Sequence, residues 1–333
     1  MLDGVSGDEE AVRAAIWKEI APFCDSVHED KAGNLIAFKK GKIPQKLMMC
    51  AHMDEVGFIV KGITEEGYLK FAAVGGIDGR ILLGQRVRIG EKKVPGVIGI
   101  KAVHMTTPEE RKTCVKIADM YMDIGAQSKE QAEQAVSLGD YAAFDSGYVA
   151  FGDHKIKAKA LDDRVGCLAL MQVLKEANCP YDLYAVFTVQ EEVGVRGATV
   201  AAYQVQPDVG IVLEGTVCAD TYEAPEHLHV TTLGKGPAFS LIERTSKSDK
   251  TLVDFLVQTA EKYNIPWQFK RTGAGGNEAG VLQQTGCGAQ TAVISVPCRY
   301  IHSSVSVADE RDIAAAARLA VKVAETIDEV KKA

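Results

Sequence analysis

Four short apolar segments, each followed closely by a histidine or a carboxylate, limit strongly how this chain can fold. The segments cover residues 47–51, 185–189, 209–213 and 291–296. Continuous apolar runs of this length are typical of strands buried on both faces of a parallel sheet. The carboxyl ends of such strands meet at one edge, where open α/β sheets bind their ligands. The pattern therefore predicts a mostly parallel sheet with a ligand site at that edge.

Amphipathic segments alternate with these strands. Apolar residues recur at helical spacing in three later segments, 164–177, 248–263 and 308–330. Leu168 is expected on the buried face of the first. Another helix is expected after Ser6 and Glu9, which have the spacing of a capping box. The predicted fold class is α/β, with a mostly parallel central sheet and helices on both faces.

The segment between about 62 and 157 has a different character. Glycines punctuate short alternating runs such as 86–89 and 94–98, a pattern typical of a small, mostly β domain with tight turns. We therefore expect a discontinuous main domain formed by 1–62 and 158–333. The β-rich insertion at 63–157 interrupts it.

Composition excludes several classes of function. The chain has 333 residues and a formal net charge of -7, which disfavours nucleic acids and anionic membranes as partners. It has no apolar run long enough to span a membrane, and its acidic beginning is unlike a signal peptide. The eight cysteines form no C-x-x-C pair and are interpreted as reduced core residues. We expect a cytoplasmic protein.

The polar residues that follow the strands are candidate metal ligands. They are His52 and Asp54 after the first strand, Glu191 and Glu192 after the second, Glu214 after the third and His302 after the fourth, together with Asp162 and Asp163 at a helix start. Imidazoles and carboxylates without a thiolate suit Zn²⁺, Co²⁺ or Mn²⁺. Two ions would need one shared ligand, and a carboxylate can bridge where an imidazole cannot.

Each of these groups has a simpler explanation when it is taken alone. Asp162 and Asp163 could cap a helix, and Glu191 and Glu192 could begin one in solvent. Their equivalent positions at strand ends favour the metal site instead. Three other histidines are expected to have structural, surface or interface roles: His104, His227 and His229.

Several sequence blocks resemble a known family. They are Ala-His-Met-Asp-Glu-Val-Gly-Phe at 51–58, Ala-Leu-Asp-Asp-Arg-Val-Gly at 160–166, Val-Gln-Glu-Glu-Val-Gly at 189–194 and Arg-Tyr-Ile-His-Ser at 299–303. They are similar to the signature blocks of the TET or glutamyl aminopeptidase family, co-catalytic metallo-aminopeptidases that include "deblocking aminopeptidase" and "cellulase M". The resemblance implies an aminopeptidase-type α/β domain with an inserted β-barrel. It also implies that the barrel mediates self-association of a dimer building block, often into a tetrahedral dodecamer.

The resemblance also implies a role for each site residue. The expected metal ligands are His52, Glu214, Asp162, Glu192 and His302. The first two would hold one ion and the last two the other, with Asp162 as the bridge. Glu191 would be the general base that activates a metal-held water, and Asp54 would orient His52 through its second ring nitrogen.

Two departures from the family pattern leave alternatives open. Glu214 stands where Asp is common, and Gly-Gly-Asn-Glu at 275–278 stands where Gly-Gly-Thr-Asp is expected, in a loop that should line the substrate site. We expect an aminopeptidase that acts on peptides with two divalent ions, Zn²⁺ before Co²⁺ or Mn²⁺. A carboxypeptidase or deacylase is the alternative. An endoglucanase is disfavoured, because paired glycosidase carboxyls flank one bond whereas Glu191 and Glu192 are consecutive.

Overall fold

The computed structural model describes residues 1–271 and 275–330. Within these ranges the strands, in chain order, are β1 (Ser26–Glu29), β2 (Leu35–Lys39), β3 (Ile43–His52), β4 (Gly57–Ile63), β5 (Leu69–Val74), β6 (Arg86–Ile89), β7 (Val94–Gly99), β8 (Tyr121–Asp123), β9 (Tyr141–Phe144), β10 (Val149–Phe151), β11 (Lys155–Ala158), β12 (Tyr181–Thr188), β13 (Val209–Val217), β14 (Ala238–Phe239), β15 (Gln268–Phe269), β16 (Gln290–Arg299) and β17 (Ser306–Asp309). The α-helices are α1 (Glu10–Ile20), α2 (Lys129–Glu133), α3 (Leu161–Glu176), α4 (Arg196–Val205), α5 (Lys250–Lys262), α6 (Ala279–Gln284) and α7 (Glu310–Glu325).

The large sheet has the strand order β1-β2-β12-β3-β13-β16-β17-β11-β10, and β14 and β15 join it at β16. Its four central strands, β12, β3, β13 and β16, are parallel. The outer strands of this path are antiparallel to their neighbours, so the sheet as a whole is mixed. The predicted α/β fold class is confirmed, and the four apolar runs of the sequence form the parallel centre.

Helices cover both faces of this sheet. Alternate residues of β3 point to opposite sides, because side chains alternate along a strand. Met49 packs in one core with α1, α3, α5 and α7, whereas Met48 packs in another with α4 and α6. Both faces are therefore buried, which explains why the central strands are apolar without alternation.

A closed barrel forms a second core. Its strands follow the order β4-β5-β8-β7-β6-β9, and closure removes exposed strand edges. The ring of Phe58 contacts Phe71 and Phe144 edge-on, with centroids 5.2 and 5.1 Å apart. The barrel strands lie between residues 57 and 144, and β10 and β11 pair within the large sheet through β17. The division into domains at 1–62, 63–157 and 158–333 stays a prediction.

Three local expectations are wrong. Ser6 does not cap α1, because its hydroxyl donates a 2.6 Å hydrogen bond to Asp54. Leu168 is 50% exposed, because it lies off the stripe on which Val165 and Ala169 are buried. Cys114 and Cys287 are exposed, so not all of the cysteines are core residues. No helix in the described ranges is both long and apolar enough to cross a membrane.

Candidate metal centre

The carboxyl edge of the parallel strands gathers the predicted ligands into two groups. Among the described residues, the metal-competent groups are His52 with Asp163 and Glu214, and Asp162 with Glu192 and His302. His52 ends β3 and Glu214 lies in the carboxyl half of β13, while Glu192 and His302 lie in the segments that follow β12 and β16. The topology therefore brings together residues that are up to 250 positions apart in the chain.

Asp162 lies between the two histidines. Its Oδ1 is 3.3 Å from Nε2 of His52, which is also 3.2 Å from Oε1 of Glu214. Its Oδ2 is 3.5 Å from Nε2 of His302, which is 3.3 Å from Oε2 of Glu192. Each carboxylate oxygen of Asp162 therefore faces a different imidazole, an arrangement that fits a bridging ligand.

Backbone carbonyl groups orient both imidazole rings. Nδ1 of His52 is 3.1 Å from the carbonyl oxygen of Asp54 and 3.5 Å from Oδ1 of the same residue. Nδ1 of His302 is 2.9 Å from the carbonyl oxygen of Gly76, in the segment after β5. Because a carbonyl oxygen only accepts, each Nδ1 carries a hydrogen, and loss of the proton from Nε2 would leave the lone pair of that atom for a cation. The sequence offers no signal for the contact with Gly76.

The carboxylate of Asp54 supports the other side of the site. It is fully buried and accepts hydrogen bonds from the backbone N–H groups of Glu191 at 3.0 Å and Glu192 at 3.1 Å. The hydroxyl of Ser6 is its third donor. Asp54 therefore fixes the segment that carries the proposed base as well as the ring of His52.

The carboxylate of Asp163 accepts hydrogen bonds from backbone N–H groups and does not face both histidines. The peptide bond that joins it to Asp162 is cis. Its carboxylate accepts hydrogen bonds from the N–H groups of His52 at 3.2 Å and Gly166 at 2.8 Å. Oδ1 of Asp162, in contrast, is buried and has no hydrogen-bond partner among the described residues. Asp162 is therefore the better candidate for a bridging ligand, and its role, which the family resemblance implies, stays a prediction.

Burial and mutual repulsion raise the pKa values of the three glutamates of the site, Glu191, Glu192 and Glu214. Burial raises the pKa of Glu191 to about 8, and the charge of Glu192 adds to this shift. Burial also raises the pKa of Glu192 to about 7, with repulsion from Asp162. Burial is the main cause that raises the pKa of Glu214. The site therefore concentrates negative charge where water cannot screen it.

The neighbouring carboxylates raise the pKa values of the two imidazoles. Burial alone would lower the pKa of His302, but the hydrogen bond with Asp162 and the charge of Glu192 raise it to about 9. Burial alone would raise the pKa of Asp162, but the imidazoles of His302 and His52 hold it well below its usual range. Among the described residues, no lysine or arginine pairs with Asp162, Glu192 or Glu214. Divalent cations fit this donor set.

A cavity of about 170 Å³ opens beside these ligands. Its wall contains the five predicted ligands and Glu191, as well as Gly275, Gly276 and Asn277 of the expected substrate loop. Residues 272–274 of that loop lie outside the described residues. Glu243 and Lys270 also line the cavity, and the sequence analysis missed both.

The other histidines lie apart from the centre. His104 is exposed in a turn of the insertion, and Nε2 of His229 is 3.1 Å from the carbonyl oxygen of Ala224. His227 lies in a short 3₁₀ turn. Neither metal-competent group includes them.

The chain is similar to known proteins over most of its length. The sequence profile described as M42 glutamyl aminopeptidase matches residues 33–319. The chain is 41% identical over 320 residues to a putative aminopeptidase of Acetivibrio thermocellus, with 96% of this chain and 94% of the relative covered.

Solved structures show the same similarity. A TET aminopeptidase from a marine-sediment Thaumarchaeota archaeon has a TM-score of 0.95 and 36% identity, covering 98% of this chain and 93% of its own. The TET1 peptidase of Pyrococcus horikoshii, described as assembling into a tetrahedron or a large octahedral shell, has a TM-score of 0.88 and 33% identity, with 98% and 97% covered. The fold, the site and these matches show that the chain is a metallo-aminopeptidase that belongs to the M42 glutamyl aminopeptidase family.

Proposed function

We propose that this enzyme removes N-terminal residues from peptides at a dinuclear metal site, with Glu191 as general base. The observation that carries the proposal is the position of Asp162, whose two oxygens face the Nε2 atoms of His52 and His302. In this assignment, His52 and Glu214 hold one cation and Glu192 and His302 hold the other.

The donor set favours borderline divalent cations. Two neutral imidazoles and three carboxylates suit Zn²⁺ best, and Co²⁺ or Mn²⁺ also fit. Two such cations, when bound, would lower the pKa of a water molecule and polarise the scissile carbonyl group. Oε1 of Glu214 lies 3.2 Å from Nε2 of His52, so the longer carboxylate reaches the position that a ligand must occupy.

Glu191 has the properties that a general base needs. It lines the cavity beside Glu192, and Asp54 holds the backbone N–H groups of both residues. Burial raises the pKa of the Glu191 carboxyl group, which makes its carboxylate a stronger proton acceptor. It would accept a proton from the attacking water and deliver it to the leaving amine.

Self-association through the barrel is part of the proposal. The Pyrococcus horikoshii TET1 relative is described as assembling into a tetrahedron or a large octahedral shell, and a barrel with its own core could provide contacts without disturbing the site. We infer dimer building blocks that assemble into a tetrahedral dodecamer. Analytical ultracentrifugation or size-exclusion chromatography, with and without metal, measures the oligomeric state. A reducing compartment, the cytoplasm, suits the eight free cysteines.

Substrate hydrolysis with controlled metal content tests the function. We expect release of fluorophore from aminoacyl amides, its loss on chelation, and its recovery with Zn²⁺, Co²⁺ or Mn²⁺. N-acetylated amides should stay intact, because an exopeptidase of this kind needs a free amino group. Preference for N-blocked substrates would favour the deacylase alternative. Chelator-insensitive cleavage of a β-glucan would overturn the assignment.

A further inference from the structure

A buried glutamate near the start of the chain contacts the segment that carries the proposed base. Glu9 directly precedes α1 and is only 5% exposed, yet its side chain makes no capping hydrogen bond to that helix. Its Oε1 accepts hydrogen bonds from the N–H of Gly7 at 2.7 Å and from the N–H of Gln190 at 3.1 Å. Glu9 and Gln190 are 181 positions apart, so this contact holds the start of the chain against the segment that follows β12.

Two buried carboxylates hold three consecutive backbone N–H groups of this segment. Glu9 accepts the hydrogen bond from Gln190, and Asp54 accepts those from Glu191 and Glu192. Asp54 therefore holds the proposed base and the adjacent metal ligand, whereas Glu9 holds the residue before the base. Because a donor that loses its acceptor away from water is costly, the loss of either carboxylate should allow part of the segment to move.

The backbone of Gln190 has a conformation that needs such support. Its φ is +54°, in the left-handed region that is unfavourable for a residue with a Cβ atom. On its carboxyl side, the N–H of Arg196 donates to the carbonyl oxygen of Gln190 at 3.2 Å. On its amino side, the N–H of Gln190 donates to Glu9. Glu9 thus stabilises a turn that determines the direction in which the chain enters Glu191.

The side chain of Glu191 depends on this backbone for its position. Within residues 1–271 and 275–330, the carboxylate of Glu191 makes no hydrogen bond or ion pair, although it lines the cavity beside the ligands. A displacement of a reacting group by about 1 Å can lower a rate by about 10²-fold. The contacts that hold the backbone at 190–192 are therefore the ones that can keep the base in place.

We infer that Glu9 is a positioning residue for Glu191, because its acceptor oxygen holds the turn at Gln190 from which the base is directed into the cavity. This inference rests on the proposed function, in which Glu191 accepts the proton of the attacking water. Both donors to Glu9 are neutral N–H groups, so the role requires an acceptor oxygen rather than a negative charge. The N–H of Glu192 is held by Asp54 and not by Glu9, so loss of Glu9 should change kcat and leave metal affinity unchanged.

Steady-state kinetics of three Glu9 variants on one aminoacyl-aminomethylcoumarin amide tests this inference. Glu9→Met is similar in length but has no acceptor, so kcat should fall about 10- to 100-fold with little change in KM. Glu9→Gln keeps an oxygen that can accept both hydrogen bonds, and its kcat should stay within about threefold of the wild-type value. Glu9→Asp keeps the charge but withdraws the oxygen, so its kcat should lie between those of the other two variants.

Combination with Glu191→Gln separates positioning of the base from a general loss of structure. If Glu9 acts through Glu191, Glu9→Met should lower the residual kcat of the Glu191→Gln enzyme by less than about twofold, because the base is already absent. A merely structural role would lower kcat by the same factor in both backgrounds. If Glu9→Met does not fold, Glu9→Asp takes its place in both backgrounds.

Two further measurements support the comparison. Metal content by atomic emission should match that of the wild type in every Glu9 variant. Glu10→Met is the matched control, because Glu10 is the next residue in the chain but is exposed, and this change should leave kcat unchanged.

The outcomes distinguish this inference from the function on which it rests. Full kcat of Glu9→Met, equal losses in Glu9→Met and Glu9→Gln, or equal losses in both backgrounds would overturn the positioning role of Glu9 alone. If Glu191→Gln keeps full activity, or if the metal-loaded wild type hydrolyses no aminoacyl amide, the proposed function itself is wrong and the role of Glu9 falls with it.

Discussion

Glu191 and Glu192 are adjacent residues whose replacement should have different consequences. Glu191→Gln should keep both cations but reduce kcat by about 10²–10⁴, because the amide cannot accept the proton of the attacking water. Glu192→Gln should instead weaken metal binding, since Oε2 of Glu192 faces Nε2 of His302. Metal content by atomic emission, measured beside kcat, separates the two effects. Full activity of Glu191→Gln would refute its assignment as base.

Asp54 supports the candidate metal site indirectly, through the backbone N–H groups of Glu191 and Glu192 that it accepts hydrogen bonds from. Asp54→Asn places a donor opposite the N–H groups of Glu191 and Glu192, which removes an acceptor and loosens the segment. We expect metal affinity to fall about 10- to 100-fold, as is typical when the support of a metal ligand is lost. Competition with a chromogenic chelator measures this change.

Ser6→Ala is a milder change that tests the same carboxylate of Asp54. It removes one donor to the same carboxylate and leaves the two backbone donors in place. Its effect on metal affinity should therefore be smaller than that of Asp54→Asn. Equal affinities in the wild type and in Asp54→Asn would show that the carboxylate does not support the site.

Single residues show why the candidate ligands and the support of His52 by Asp54 could be predicted, whereas the support of His302 could not. Glu214 and His302 follow recognisable strands, so strand polarity places them at one edge, whereas Asp162 was marked by a helix start. Gly76 contributes only a backbone carbonyl, 226 positions before His302, so no side-chain pattern marks it. Lys270 is equally hidden, because its place in the cavity wall depends on a contact with Glu243 that folding creates.

At the level of elements, burial on both faces made the central strands recognisable. The sequence patterns did not distinguish the antiparallel outer strands from the parallel central strands. The direction in which two strands pair depends on the path of the chain between them rather than on local composition. The barrel strands were recognisable through glycine punctuation, yet barrel closure depends on the pairing of β4 with β9, more than 70 positions later. The sequence patterns therefore predict the individual strands but not which distant strands pair with each other.

Gly197 allows α4 to pack closely on the segment that carries the proposed base. A Cβ atom there would lie 2.3 Å from Oδ1 of Asn34 and 2.4 Å from the carbonyl oxygen of Val189. The backbone after β12 would have to move, so Gly197→Ala should lower the free energy of unfolding by about 1–3 kcal/mol. Urea denaturation followed by fluorescence measures the loss.

Gly147→Ala is the matched control for Gly197→Ala. A Cβ at Gly147 meets no atom within 4 Å, and its φ is not in the left-handed region. The free energy of unfolding should therefore change by less than about 0.5 kcal/mol, or rise slightly because alanine restricts the unfolded chain. Equal destabilisation by the two changes would show that close packing at Gly197 is not the cause.

On the scale of the whole molecule, a buried ionic network joins the barrel to the metal-bearing sheet. Nζ of Lys159, 1% exposed, lies 2.9 Å from Asp3 and 2.5 Å from Glu55, which follows the His52–Asp54 segment. Arg88 of the barrel strand β6 lies 2.6 Å from Asp3. Because breaking one partner of a buried pair leaves a charge uncompensated, the network should make the free energy of unfolding sensitive to pH.

The pKa of Asp3 determines whether stability rises or falls with pH. Burial alone would raise the pKa of its carboxyl group, but Lys159 and Arg88 lower it from 3.8 to about 2. A carboxyl with a lowered pKa in the folded state stabilises the fold fully above its unfolded value, and this contribution is lost as pH falls from about 4 to about 2. Its size, allowing for solvent screening, is on the order of 1 kcal/mol.

Comparison of the wild type with Asp3→Asn isolates this contribution, because the variant lacks the titrating group. The difference between their free energies of unfolding, measured by urea denaturation of metal-free protein, should be constant above about pH 4 and should narrow towards about pH 2. Asp254→Asn, on the exposed side of α5, controls for the change in net charge. A difference that stays constant through this range would mean that Asp3 is not held ionised by Lys159 and Arg88.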